Sequence, residues 1–333
     1  MKFGPVPTET AVGAVLAHSA ALGPGHRLRK GRVLSPEDIA ALQAAGITQI
    51  TVAQLGPDDV SEDTAAARLA EALVPDPAAH HIRITKAFTG RVNLMARGPG
   101  VVVLDVAALE AVNAVHPMIT LATVPPFQQM ADGGMIATIK IISYAVPDAA
   151  LAEACARARA AIRLAPPVLG SVGLVITDIP GGAGAKGQRA IADRVAAFGL
   201  PLTEPRLVPH DIAPLSDALR DSPEDLLLIL TGSATSDIED VAPAAVRAAG
   251  GTVDRFGMPV DPGNLLFTAR LSDRPVIGLP GCARSPALNG ADWVLARTLC
   301  GIAVSDRDIA GMGVGGLLKE IPTRPQPRAG KAK

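Results

Sequence analysis

Residues 225–243 read DLLLILTGSATSDIEDVAP. The run Asp225–Leu230 is apolar without alternation, the pattern of a strand covered on both faces. A loop of small, hydroxyl-bearing residues follows, and then acids lead into the alanine-rich stretch Val241–Ala249, which Gly250 and Gly251 stop. Strand, loop and helix in this order make half of a βα repeat. Working outward, Val172–Thr177 is a second such run, with Ile191, Val195 and Phe198 at helical spacing behind it and Gly199 closing the segment. Leu207 and Val208 end a third strand, followed by Ile212, Leu215 and Leu219 on one helix face. Pro275–Leu279 is a fourth strand, before a helix over about 287–299. Alternation at this spacing predicts an α/β domain over 166–320, doubly wound in three layers around a parallel sheet.

The other half differs. Ser35-Pro36-Glu37-Asp38 is a helix start, with Ser as N-cap, Pro at the first helical position and an acid three residues on. Ile39 and Leu42 supply its buried stripe, Gly46 ends it, and Ile47–Val52 reads as a strand. Residues 88–105 and 133–146 are β-rich with Gly turns. The pattern predicts an α+β region over 1–150, a connecting helix over 151–165 and a disordered basic tail over 321–333.

Bulk properties narrow the function. The chain has 333 residues, long enough for two domains, and 48% are hydrophobic. Only 2% are aromatic and the net charge is −1, which argues against nucleic-acid binding. Cys155, Cys282 and Cys300 are too few and too scattered for a disulfide framework or zinc knuckle, which fits a reducing compartment. The N-terminus lacks a signal-peptide pattern and no apolar run approaches the ~18 residues of a membrane span. A soluble, cytoplasmic protein with no membrane partner is the expectation.

In an open parallel sheet, ligands bind beyond the carboxyl ends of the strands. Three loops fall there: 177–187, 231–240 and 280–286. In the second, Gly232 allows close backbone approach, and Thr231, Ser233, Thr235 and Ser236 offer hydroxyls. A helix starting at Asp240 would aim free N–H groups at the same place, completing a phosphate cradle. Capping competes with this reading. Ser236-Asp237-Ile238-Glu239 matches a capping box, and Asp237 or Asp240 can cap. Asp240 is the better cap, because a start at Ser236 would carry Pro243 into the helix interior. Capping explains one acid and leaves Asp237, Glu239 and the hydroxyls over.

The stretch TGSATSDIEDVAPAAV resembles the phosphate loop of the molybdopterin-binding domain shared by molybdopterin adenylyltransferases, molybdopterin molybdotransferases and CinA-like proteins. Thr231-Gly232 and Asp240-Val241-Ala242-Pro243 carry the match, with Ser233, Ala234 and Thr235 replacing the family's Gly-Thr-Gly. Val208-Pro209-His210-Asp211 is similar to the family's V-x-D, making Asp211 the second acid. Asp261-Pro262-Gly263-Asn264 and Pro275–Gly281 resemble the molybdotransferase run P-G-K-P…V-x-G-L-P-G-N-P. Asn264 stands in place of a lysine, and Cys282-Ala283-Arg284-Ser285-Pro286 in place of Asn-Pro, with Arg284 offering a charge from a neighbouring loop. GRVLSPEDIAALQAAGITQITV also resembles a molybdotransferase segment.

The resemblance implies a role in molybdenum cofactor biosynthesis. The ligand would be molybdopterin or adenylyl-molybdopterin, held by Thr231, Gly232, Ser233, Thr235, Ser236, Asp237, Pro262, Gly263, Asn264, Pro280, Gly281, Arg284 and Ser285. Mg²⁺ would sit on Asp240 and Asp211, the catalytic acids of molybdate insertion. The rival expectation is a non-catalytic carrier delivering cofactor to a molybdoenzyme, which Asn264 favours; a third is a CinA-like nucleotide hydrolase. A homo-oligomer is implied by resemblance alone.

Lesser candidates complete the reading. GGAGAKGQ (181–188) fails the Walker A pattern, since Lys186 precedes Gly187 and no Ser or Thr follows. GMGVGG (311–316) reads as a turn, and His80-His81 as surface loop. Cys282 lies in a ligand loop without an adjacent His, and His210 either touches ligand or caps. Arg27, Arg29, Lys30 and Arg32 form a basic stretch that is either a solvated face or a contact for an anion from a partner subunit.

Overall fold

The computed structural model describes residues 1–318. Two compact units share the chain: 1–98 with 102–164, and 99–101 with 165 onward. The tail 321–333 lies outside the described residues.

In the first unit the chain runs β1 (Lys2–Pro7), β2 (Val15–Leu16), β3 (Ala20–Gly23), β4 (His26–Leu28), α1 (Pro36–Ala44), β5 (Gln49–Gln54), β6 (Asp59–Ser61) and α2 (Glu62–Leu73). It continues as β7 (Ile82–Ile84), β8 (Arg91–Ala96), β9 (Gly100–Leu104), α3 (Val106–Val115), β10 (Ile119–Thr123), β11 (Gln129–Met130), β12 (Met135–Ile141), β13 (Ala145–Pro147), α4 (Asp148–Arg157) and β14 (Ile162–Ala165), with the start of β9 and the last residue of β14 counted in the second unit. The Ser35 start forms as read. Ser35 accepts from the Asp38 amide, and the Asp38 carboxylate accepts from the Ser35 amide. Arg32 Nε donates to that carboxylate at 2.7 Å, holding Asp38 below the usual carboxylate range. Ile39 and Leu42 then enter a small core with Leu16, Leu28, Leu34 and Val52.

The larger core of this unit lies between α2 and the antiparallel sheet β10-β12-β8-β7. Helix α2 buries Ala65, Ala66, Leu69, Ala70 and Leu73, a stripe at 3.6 spacing. Strand β12 buries Ile139 and Ile141 and leaves Lys140 between them half-exposed, as a period of two requires. The stretch expected as a connecting helix, 151–165, is helical only to Arg157. Leu151, Ala154, Ile162 and Leu164 all join this core, and Ile162–Ala165 is strand. The β-branched Ile162, followed by alternating burial, ends the helix reading.

The second unit continues as β15 (Val172–Asp178), α5 (Gln188–Ala196), β16 (Arg206–Pro209), α6 (Ile212–Arg220), β17 (Leu226–Leu230), α7 (Val241–Ala248), β18 (Thr252–Phe256), β19 (Phe267–Leu271), β20 (Arg274–Leu279), α8 (Gly290–Leu299) and α9 (Asp306–Gly311). Its sheet has the order β16-β15-β17-β20-β19-β18. The first four strands are parallel. The last two run antiparallel, an edge hairpin that the sequence reading did not anticipate. Strand β17 is buried at every residue and β15 at all but its last, which fits the unbroken apolar runs. Leu215, Leu219, Ala242, Ala245 and Val246 of α6 and α7 cover one face, against Val175, Leu227 and Ile229. From β15 the chain steps outward to β16, then crosses back to β17. The topological switch therefore falls between β15 and β17, where a crevice opens in folds of this kind.

Candidate functional site

Thr177, fully buried at the end of β15, is the hub of that switch point. Its Oγ1 accepts from the Gly232 amide at 3.0 Å and shares a 2.7 Å hydrogen bond with His210 Nδ1. The His210 amide donates to the Asp178 carbonyl at 2.9 Å. The ends of β15, β16 and β17 are thus tied together by one hydroxyl and its neighbour. Gly232 is glycine for the same reason. A Cβ there would stand 2.8 Å from the Thr177 carbonyl, so the close approach it permits is to β15 and not to a ligand.

Most hydroxyls of the turn are spent within it. Thr231 Oγ1 donates to the Ser233 carbonyl at 2.5 Å and lies 3.3 Å from Thr235 Oγ1, while Ser236 Oγ donates to the Ala234 carbonyl. Thr231 and Thr235 are buried. These residues hold the turn's shape instead of presenting donors, the local competition usual for Ser and Thr. Ser233 is the exception. It is exposed, its hydroxyl has no partner among the described residues, and the amides of Ser233, Ala234 and Thr235 have no acceptor there either. Three consecutive free amides and one hydroxyl are what remains of the expected cradle.

Both expected catalytic acids act as caps. Asp240 accepts from its own helix's Val241 amide through Oδ1 (2.7 Å) and from the Ser236 amide through Oδ2 (3.0 Å). Asp211 accepts from the Ile212 amide at 2.6 Å. Asp237 accepts from the Glu239 amide, and Glu239 pairs with Arg247 at 2.6 Å. Among the described residues no three His, Cys, Asp or Glu side chains converge as metal ligands. With both Asp240 oxygens and one Asp211 oxygen serving amides, the two acids offer few open donors to Mg²⁺, which asks for near-octahedral oxygen coordination.

Arg284 brings the three loops together. Its guanidinium donates to the carbonyls of Gly184 (3.2 Å), Lys186 and Thr231 (2.9 Å). A guanidinium carries five N–H donors, so two stay free among the described residues. Burial lowers its pKa and the nearby Asp178 carboxylate opposes that, but no carboxylate hydrogen-bonds it. Gly187, at φ +94°, lets this happen: a Cβ would fall 2.7 Å from the Arg284 Cα. Next to it a shallow cavity of about 470 Å³ is lined by Asp178, Ile179, Pro180, Gly181, Gly182, Leu207, Val208 and Pro209.

The loop 280–286 is set by a residue that sequence reading passed over. Arg194 of α5 pairs through Nε with Asp292 at 2.5 Å and fills its other four donors with the carbonyls of Ala190, Ala283, Ser285 and Ala287. Asp292 also completes the capping box of α8 with Asn289. Cys282 sits half-buried in this loop, and burial pushes its thiol up, away from the thiolate. Pro280 accepts from the Ala283 amide, and Gly281 is exposed.

Against this geometry, the comparisons are sparse. A family model described as a domain of unknown function (DUF8806) matches residues 5–54. No curated protein matches. Among solved structures the chain is similar to a molybdopterin biosynthesis moea protein from Pyrococcus horikosii, at 14% identity over 94% of this chain and 76% of that one, with a TM-score of 0.32. It is also similar to a molybdenum cofactor biosynthesis protein from Pyrococcus furiosus, at 14% identity over 91% and 66% of the two chains, TM-score 0.23. Values this low leave the arrangement of the site to its own geometry.

The segment 261–264 is a brace. The Gly290 amide donates to the Pro262 carbonyl, a Cβ on Gly263 would lie 2.7 Å from the Gly290 nitrogen, and Asn264 Nδ2 donates to the Met258 carbonyl at 3.4 Å. Pro262 and Gly263 thereby seat the start of α8, while Asn264 closes the segment onto Met258. No helix among the described residues is long and apolar enough to cross a membrane.

Proposed function

We propose that the second unit is a doubly wound, three-layer domain that binds molybdopterin by its terminal phosphate at the turn after β17, and that the protein carries this cofactor within molybdenum cofactor biosynthesis. One observation carries the reading. The Arg284 guanidinium, with no hydrogen-bonded carboxylate and two free donors, grips the carbonyl of Thr231, two residues before the free amides of Ser233–Thr235. A cation and a row of unsatisfied amides at the switch point of a parallel sheet favour a phosphate. The sequence resemblance of 231–243 and 275–281 supplies the identity of the pterin.

Carriage is favoured over molybdate insertion because Asp240 spends both carboxylate oxygens, and Asp211 one, on backbone amides, which leaves few open donors for Mg²⁺. Incubation with adenylyl-molybdopterin, molybdate and Mg²⁺ tests this. Retention of the ligand without AMP release is the expected result. AMP release that depends on molybdate would replace carriage by insertion, and release without molybdate would establish hydrolysis.

A further inference from the structure

The basic stretch at 27–32 finds no use in the function above. In the first unit Arg27, Arg29 and Lys30 line a cavity of about 540 Å³ with Lys140, Glu62, Ser19, Gly31, Thr89, Ile142, Ser143 and Tyr144. Four cations face one carboxylate, in a chain whose net charge is −1. A surface shaped only for solubility intersperses the two signs; here one sign is gathered in a concavity of ligand size.

The fold enforces the gathering. Leu28 is buried in the small core, so Arg27 and Arg29 on either side of it must share the opposite face of the extended chain. Both are exposed, and neither guanidinium has a hydrogen bond or ion pair among the described residues. Lys140 enters from β12, half-exposed, with its Nζ held by the Thr89 carbonyl and 3.9 Å from Glu62. Lys30 Nζ stands 5.9 Å over the Tyr144 ring. That ring is fixed, since Tyr144 donates its hydroxyl to the Ala17 carbonyl at 2.8 Å and stacks on Phe3. Two unspent guanidinium forks, two ammonium groups and a rigid aromatic wall match an anion with several charges in a small volume. Burial raises the Glu62 carboxyl above its usual range, against the pull of Lys140 and Lys30. The one opposing charge is thus the least comfortable member of the set.

We infer that this pocket of the first unit binds a small molecule bearing a multiply charged phosphate group, held by Arg27, Arg29 and Lys140. The inference rests on residues of the first unit alone and does not depend on the pterin reading.

Titration calorimetry with pyrophosphate on the full chain tests it, in an Ala234→Glu background that closes the turn of the second unit. Saturable binding is expected. Arg27→Gln with Arg29→Gln is expected to weaken it at least tenfold, Lys140→Gln to weaken it severalfold, and Glu62→Gln to tighten it. Arg157→Gln, an exposed cation paired with Glu153, should change nothing. Because the Arg27 and Arg29 side chains make no hydrogen bond or ion pair among the described residues, their double variant should melt with the parent. Absence of saturable binding, or a double variant within twofold of the parent, overturns the inference. Tighter binding of a hexaglutamate peptide than of pyrophosphate also overturns it, in favour of an acidic polypeptide.

Discussion

Arg194 and Arg284 in the second unit and Arg27 and Arg29 in the first are the same side chain put to opposite uses. Arg194 has all five donors filled, four by carbonyls and one by Asp292. Arg284 fills three and keeps two. Arg27 and Arg29 fill none among the described residues. A guanidinium saturated by carbonyls fixes loops and has nothing left for a ligand. One that is unsaturated, yet held in place, can recruit an anion. Charge count alone does not separate the two cases; the number of unspent donors does.

That gradient can be broken by substitution. The largest effect is expected from Arg194→Met. The side chains of Arg194 and Asp292 are only 12% and 14% exposed, and removing one partner strands the other charge. A loss of about 3–5 kcal/mol in guanidinium denaturation is expected. A loss below about 1 kcal/mol would mean that the carbonyl cage contributes little.

The next effect in size belongs to Asp38, which serves Arg32 and the cap of α1 together. Asp38→Asn is expected to cost about 1–2 kcal/mol at neutral pH. The folded carboxyl is held below its ordinary value, so its contribution is complete above the unfolded pKa of about 4 and fades as pH falls through the folded one. Wild type and variant should therefore converge in acid; a constant gap would assign the effect to shape and not to charge. The smallest effect is expected at Arg157→Gln. Arg157 and Glu153 are about half exposed, and the change should stay within about 0.5 kcal/mol by thermal melting.

Sequence legibility followed the same physics. Strands β15, β17 and β20 were readable because burial on both faces leaves no alternation to confuse with a helix. The Ser35 box was readable because caps are local. The hairpin β18–β19 was not, since Thr252–Phe256 alternates exposure and carries Asp254 and Arg255 within it. The alanine-rich run after Asp148 hid the end of α4, because alanine extends a helical pattern past the point where Ile162 turns to strand.

In the site, the position of the turn was legible and the employment of its side chains was not. Thr231, Thr235 and Ser236 look like donors, and only the folded turn shows Thr231 and Ser236 giving their hydroxyls to its own carbonyls and Thr235 pairing with Thr231. Asp240 was correctly weighed as a cap, and its second oxygen on the Ser236 amide needed the structure. Arg194 gave no sequence signal, because most of its partners lie 89 to 98 residues away.

The most direct measurement is the fluorescence of oxidised pterin released from the purified protein, for wild type and Ala234→Glu produced in a host that makes molybdopterin. Wild type should release pterin in near-stoichiometric amount, and the variant, its new carboxylate facing the free amides of Ser233–Thr235, should release almost none while melting at the same temperature. Equal pterin in both proteins, or none in wild type, would contradict phosphate capture at that turn.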